Sequence, residues 1–145
     1  MYTCRLDDKG RLKLPAEFQH FLSLLPEKKL FVTSLDRRIA QIYPMPVWRE
    51  NENFFENYRD NPQVAQDVMF NANDLGADAD LDSQGRVLFN TTLRRDLDLQ
   101  NQELHIYSYR GHIQVLTEAI YQERRQRATK TASENVETLE RAGLK

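Results

Sequence analysis

The sequence predicts an α+β fold in which one small β unit occurs twice in tandem, with short helices between the copies and after the second. Three observations predict it. The stretch Leu6-Asp7-Asp8-Lys9-Gly10-Arg11-Leu12 returns 75 residues later as Leu81-Asp82-Ser83-Gln84-Gly85-Arg86-Val87. Behind each copy comes a run of β-forming residues, Leu30-Phe31-Val32-Thr33-Ser34 and Leu104-His105-Ile106-Tyr107-Ser108, at an offset of 74. Between the copies, apolar residues recur at helical spacing instead. A one-residue gap reconciles the copies over about forty positions, which marks a duplicated unit. The expected division is a first unit at 1–46, a helical connector at 47–75, a second unit at 76–117, and a C-terminal helix with a polar tail at 118–145.

Each unit is expected to begin with a short strand that runs into Asp-x-x-Gly-Arg. Gly10 and Gly85 suit the positive φ of a tight turn, and Asp7 and Asp82 can accept from the turn amides. A second strand follows over Arg11–Leu14 or Arg86–Phe89. Pro15 suits the first turn of the next helix, and Asn90, its counterpart region in the second copy, suits an N-cap. Phe18, Phe21, Leu22 and Leu25 share one helical face, matched in the second copy by Leu93 and Leu97. A hairpin closes each unit, with turns at Leu35–Arg38 and Tyr109–His112; Ile39-Ala40-Gln41-Ile42 answers Ile113-Gln114-Val115-Leu116.

In the connector, Val47, Asn51, Phe54, Phe55 and Tyr58 fall on one helical face. After the break at Asp60-Asn61-Pro62, Val64, Ala65, Val68, Met69 and Ala72 do the same. A further helix is expected from about Thr117 through Arg127. The tail from Thr129 is polar, and its sequence fits a loosely held helix or a disordered segment.

With 20 Lys and Arg against 22 Asp and Glu, the net charge of −2 excludes a histone-like polycation. Charge is unevenly spread. Residues 1–40 hold 8 basic and 5 acidic residues, 46–82 hold 2 and 9, and 83–145 hold 10 and 8. Acidity is thus confined to the middle of the chain. One cysteine, Cys4, excludes an intramolecular disulfide and a cysteine-based zinc site, as suits a reducing compartment. Neither a signal-peptide pattern nor a run of membrane-helix length occurs, so a soluble cytoplasmic protein is expected.

Enzymatic signals do not converge. His20, His105 and His112 have no metal-ligand spacing, and neither a Gly-rich phosphate cradle nor a nucleophile elbow occurs. Asp78, Asp80 and Asp82 alternate but lack the Gly and Glu of a calcium loop. No enzyme, metal, cofactor or small-molecule substrate is expected. The arginines suggest a different chemistry. A guanidinium offers a planar fork of donors that matches a phosphate or the O6/N7 edge of guanine, and a two-stranded ribbon fits a major groove. Arg11 and Arg86 are the candidate DNA contacts, with Lys9, Lys13 and Arg94 as basic neighbours. The plain alternative for both arginines is an ion pair with Asp7 and Asp82.

The duplicated Asp-x-x-Gly-Arg strand–turn–strand resembles the swapped-hairpin DNA-binding domain of the AbrB superfamily. Residues Leu81–Leu97 follow its pattern, with Asn90 where proline is usual. The first copy, with Ile39-Ala40-Gln41-Ile42-Tyr43-Pro44 and Trp48 downstream, is similar to the N-terminal half of the MraZ transcriptional regulators, and the resemblance spans roughly residues 1–127. It implies two AbrB-like units pairing within one chain as a pseudo-dimeric barrel, and chains assembling into a ring-shaped homo-oligomer. It also implies binding to direct repeats in double-stranded DNA upstream of cell-division and cell-wall genes, hence a nucleoid-associated protein. Arg11 and Arg86 inherit the role of principal DNA contact. The connector has Val64-Ala65-Gln66-Asp67-Val68-Met69 where that family commonly carries an Arg pair. The second reading is an interaction oligomer of the same fold with little or no affinity for DNA.

Overall fold

The computed structural model describes all 145 residues. The first repeat runs from β1 (Tyr2–Cys4) through β2 (Arg11–Lys13) and α1 (Ala16–Ser23) to a hairpin of β3 (Lys29–Thr33) and β4 (Ala40–Pro44). Helices α2 (Met45–Asn57) and α3 (Pro62–Leu75) follow. The second repeat restates the order with β5 (Ala77–Asp80), β6 (Arg86–Leu88), α4 (Thr91–Leu97), β7 (Leu104–Tyr109) and β8 (His112–Thr117). The chain ends in α5 (Glu118–Lys130) and α6 (Ala132–Arg141), so the tail is helical over most of its length and α5 outlasts its expected end at Arg127. Both β2 and β6 stop one residue early, although the N–H groups of Leu14 and Phe89 continue the same register by bonding the turn glycine of the other repeat.

The two repeats interleave. Six strands form one antiparallel sheet in the order β1-β7-β8-β4-β3-β5, and β2 and β6 form a separate two-stranded ribbon. Within the sheet, β1 of the first repeat pairs with β7 of the second, β5 of the second with β3 of the first, and β4 with β8. Exchanging every strand for its repeat counterpart only reverses this order. The topology therefore has an internal two-fold relation, as expected when two copies of one surface meet self-complementarily. The β7–β8 hairpin turns on Arg110 and Gly111, both at positive φ (49° and 82°), which matches the right-handed twist of the flanking strands.

Burial follows the register. Leu12 and Val87 face each other across the ribbon, both fully buried. With Leu14, Phe89, Leu93, Ile106, Val115 and others from both repeats they form one 19-residue core. Each such side chain contributes about 1.5–3 kcal/mol when fully buried. A smaller cluster of Phe31, Tyr43, Met45, Trp48 and Ala72 fastens the connector to the sheet, with Trp48 stacked on Phe31 at 4.6 Å. Burial there pushes the Tyr43 phenol up to about 12. No helix is long and apolar enough to cross a membrane.

Helical periodicity overstated what is covered. Phe18 and Leu22 are buried and Leu25 packs against the core, but Phe21 is half exposed, since α1 meets the body along only part of its apolar stripe. In α2 the anchors are Met45 and Trp48; Val47 and Phe55 lie against them, while Phe54 faces outward and stacks on Tyr58. In α3, Ala65, Ala72 and Leu75 are buried, and Val64 and Phe70 are exposed.

Candidate nucleic-acid interface

Both turns have the same hydrogen-bond pattern. Asp7 Oδ1 accepts the backbone N–H of Lys9 (3.0 Å) and of Arg11 (2.9 Å), and Oδ2 accepts Arg11 Nε (2.7 Å). Asp82 Oδ1 accepts from Gln84 (2.9 Å) and Arg86 (2.8 Å), and Oδ2 accepts Arg86 Nε (2.8 Å). Gly10 and Gly85 take φ of +82° and +76°, where a side chain is strained. The backbone N–H of Arg11 holds the Asp7 carboxyl below its ordinary range, with the Arg11 guanidinium and Lys9 N–H adding to it; Asp82 is held down likewise by Arg86 and Gln84. The aspartates thus act as turn caps and arginine partners at once.

Each turn also finishes the other repeat. Gly10 O accepts Phe89 N–H at 2.9 Å, and Gly85 O accepts Leu14 N–H at 2.9 Å. These bonds fix the turns at the two ends of the ribbon. Antiparallel register sets Arg11 opposite Leu88, Leu12 opposite Val87, and Lys13 opposite Arg86. Since Leu12 and Val87 point inward, alternation sends Arg11, Lys13, Arg86 and Leu88 to the outer face. Three cations on one small face is the arrangement a polyanion needs. Like charges directly opposite, as Lys13 and Arg86 are, destabilise an isolated pair.

The ribbon gathers Arg11, Lys13 and Arg86, and Lys9 is exposed at the tip of the first turn. Arg94 is placed differently from a solvated charge. It comes from α4 and packs its guanidinium against Gly10, where an added Cβ would lie 2.4 Å from Cζ. Gln19 on α1 takes the same position over Gly85. Sequence reasoning missed Gln19 as a turn contact, although the 75-residue offset that pairs it with Arg94 could have revealed it. Other basic side chains are engaged elsewhere. Arg37 bonds Asn71, Asp74 and Asp96, Arg38 bonds Glu123, and Arg49 bonds Glu27.

No three His, Cys, Asp or Glu side chains gather where they could hold a metal ion. Cys4 is half-buried, and burial pushes its thiol up to about 11. Asp78, Asp80 and Asp82 do not converge either. Asp80 pairs with Lys29 at the sheet edge, and Asp82 belongs to the turn.

Fold and site together define a two-repeat β-ribbon protein that presents matched, arginine-bearing turns. The chain belongs to the MraZ family, whose named members are transcriptional regulators and not enzymes. It is 27% identical over 143 residues to the transcriptional regulator MraZ of Acidobacterium capsulatum, covering 99% of this chain and 97% of the relative. Against the MraZ of Herpetosiphon aurantiacus it is 34% identical over 105 residues, covering 70% and 68%. Against that of Nitrosomonas eutropha it is 33% identical over 101 residues, covering 67% and 66%. No protein-family model matches the chain.

Proposed function

We propose that this chain is a sequence-specific DNA-binding regulator of transcription, reading direct repeats upstream of cell-division and cell-wall genes through its two Asp-x-x-Gly-Arg turns. The observation that carries this reading is the outer face of the β2–β6 ribbon, where Arg11, Lys13 and Arg86 converge above a buried Leu12–Val87 pair. Arg11 and Arg86 reach base edges or phosphates with their Nη groups, because each Nε is held by an aspartate. Lys9 and Arg94 add charge beside the first turn. Asp7, Gly10, Asp82 and Gly85 hold the turns in shape. The interleaved strand pairing supports two AbrB-like swapped-hairpin units at 1–46 and 76–117 closing a pseudo-dimeric barrel, with 47–75 as connector and 118–145 as a helical extension.

The protein works as a ring-shaped homo-oligomer on the nucleoid in the cytoplasm. Two exposed regions support assembly: α2 and α3, acidic and carrying Phe54, Val64 and Phe70 outward, and α6, whose Val136 and Leu139 are half exposed. Repetition of weak heads around such an assembly raises their effective concentration on DNA. One observation favours the second reading, an assembly protein without DNA affinity: both turn arginines are already paired with aspartates.

Titration of a labelled duplex from the region upstream of the chain's own gene, beside a random duplex, separates the two. The regulator reading expects preference for the upstream duplex, steep weakening with salt, and loss in Arg11→Ala and Arg86→Ala. Equal binding to both duplexes, unchanged in those variants, supports the assembly reading instead.

A further inference from the structure

Positions 19 and 94 are repeat counterparts, and each lies over the turn glycine of the other repeat. Their places are equivalent; their chemistry is not. Gln19 is neutral and donates through Nε2 to Leu14 O at 2.6 Å. Arg94 donates through Nη1 to Gln100 Oε1 (3.1 Å) and through Nη2 to Thr91 Oγ1 (3.2 Å), both neutral acceptors. Its Nε is buried with no acceptor. Gln100 in turn donates to the Asp7 carbonyl at 3.2 Å, which ties Arg94 to the first turn. Arg11 and Arg86 have their charge answered by carboxylates, whereas Arg94 has only dipoles around it. A half-buried cation without a counter-charge is costly unless an anion comes to it.

The same bias recurs at one further counterpart pair. Lys9, exposed at the tip of the first turn, stands where the second repeat has Gln84. Two pairs lean the other way: Asp8 against Ser83, and Lys13, which lies opposite Arg86, against Leu88, which lies opposite Arg11. We propose, resting on the DNA reading above, that the two turns are unequal. The first, backed by Arg94, holds a backbone phosphate, and the second, backed by Gln19, meets the duplex through Arg86 with Lys13 across the ribbon and no cation behind its glycine. Two equal heads related by a two-fold suit an inverted repeat. Two unequal heads give the chain a direction on DNA, which suits a direct one.

The test is the salt dependence of binding to the labelled upstream duplex by wild type, Arg94→Gln, Arg94→Lys and Gln19→Arg, with thermal denaturation to confirm folding. Losing one phosphate contact should make the log–log salt slope of Arg94→Gln shallower by about 0.9, and gaining one should make that of Gln19→Arg steeper by about 0.9. Arg94→Lys should keep the wild-type slope because it keeps the charge, whereas a merely structural brace would leave the slope unmoved in Arg94→Gln as well. Gln19→Arg leaves Arg94 in place and reads the proposal even if Arg94→Gln does not fold. Wild-type binding with unchanged slopes in Arg94→Gln or in folded Gln19→Arg overturns this inference alone. Wild type that does not bind the duplex overturns the DNA reading and this inference with it.

Discussion

Asp7 of the first repeat serves both turn arginines: its Oδ2 accepts Arg11 Nε at 2.7 Å and lies 3.9 Å from Arg86 Nη1 of the second repeat. Asp82 has no such second partner, since its Oδ2 bonds Arg86 alone. One carboxylate therefore moderates the charge of both heads, and the two turns are electrostatically coupled across the ribbon.

Asp7→Asn follows from this relationship. Asparagine keeps an Oδ1 to cap the turn but removes the charge that competes with DNA for Arg11 and Arg86. Binding to random duplex should tighten, with a steeper salt dependence than wild type, and Asp82→Asn should give a smaller effect. Fluorescence anisotropy across a salt series measures it. Weaker binding in Asp7→Asn would mean that the carboxylate's value lies in aiming the guanidinium.

Stability should fall in acid for a reason localised in the turns. Asp7 and Asp82 are held below their ordinary range when folded, chiefly by the backbone N–H of Arg11 and Arg86. Their contribution is therefore fully present above the unfolded carboxylate range, near pH 4, and is lost as pH drops through the depressed folded values. Thermal denaturation from pH 7 to pH 3 should show a decline that is shallower in an Asp7→Asn, Asp82→Asn double variant.

Glycine replacements should rank by what surrounds them. Alanine at Gly10 or Gly85 meets a positive φ, worth about 1–2 kcal/mol, and also displaces Arg94 or Gln19. At Gly111 the φ is also positive, yet an added Cβ meets only Val47 at 3.8 Å. Urea denaturation should place Gly111→Ala as the mildest of the three.

Asn90 holds two elements together. Its Oδ1 accepts Leu93 N–H at 2.8 Å and caps α4, while Nδ2 donates to Leu75 O at 2.8 Å, the end of α3. Asn90→Ala should cost about 1–2 kcal/mol in denaturant unfolding. A loss near zero would mean that water replaces both bonds.

Local chemistry made the turns legible. Asp-x-x-Gly-Arg specifies its own hydrogen bonds, so Asp7, Gly10 and Arg11 and their counterparts behave as their residue types dictate. Partner choice among strands was not legible in the same way: β1 pairs with β7 across some hundred residues, and nothing within either segment encodes that distance. Periodicity identified the stripe holding Phe18, Phe21 and Leu22, but which part is covered depends on the neighbour, and Phe21 stayed outside. From its residue type Arg94 could be read only as a basic neighbour of the turn arginines. Only the interleaving of repeats carries it to Gly10.

Hydrogen exchange on the assembled protein with and without the upstream duplex tests the central claim most directly, because it locates the surface that DNA covers. Protection gained at residues 7–14 and 82–89, with α2 and α3 unchanged, is the expected result. Protection confined to α2, α3 or α5, with both turns exchanging as in the free protein, would contradict it.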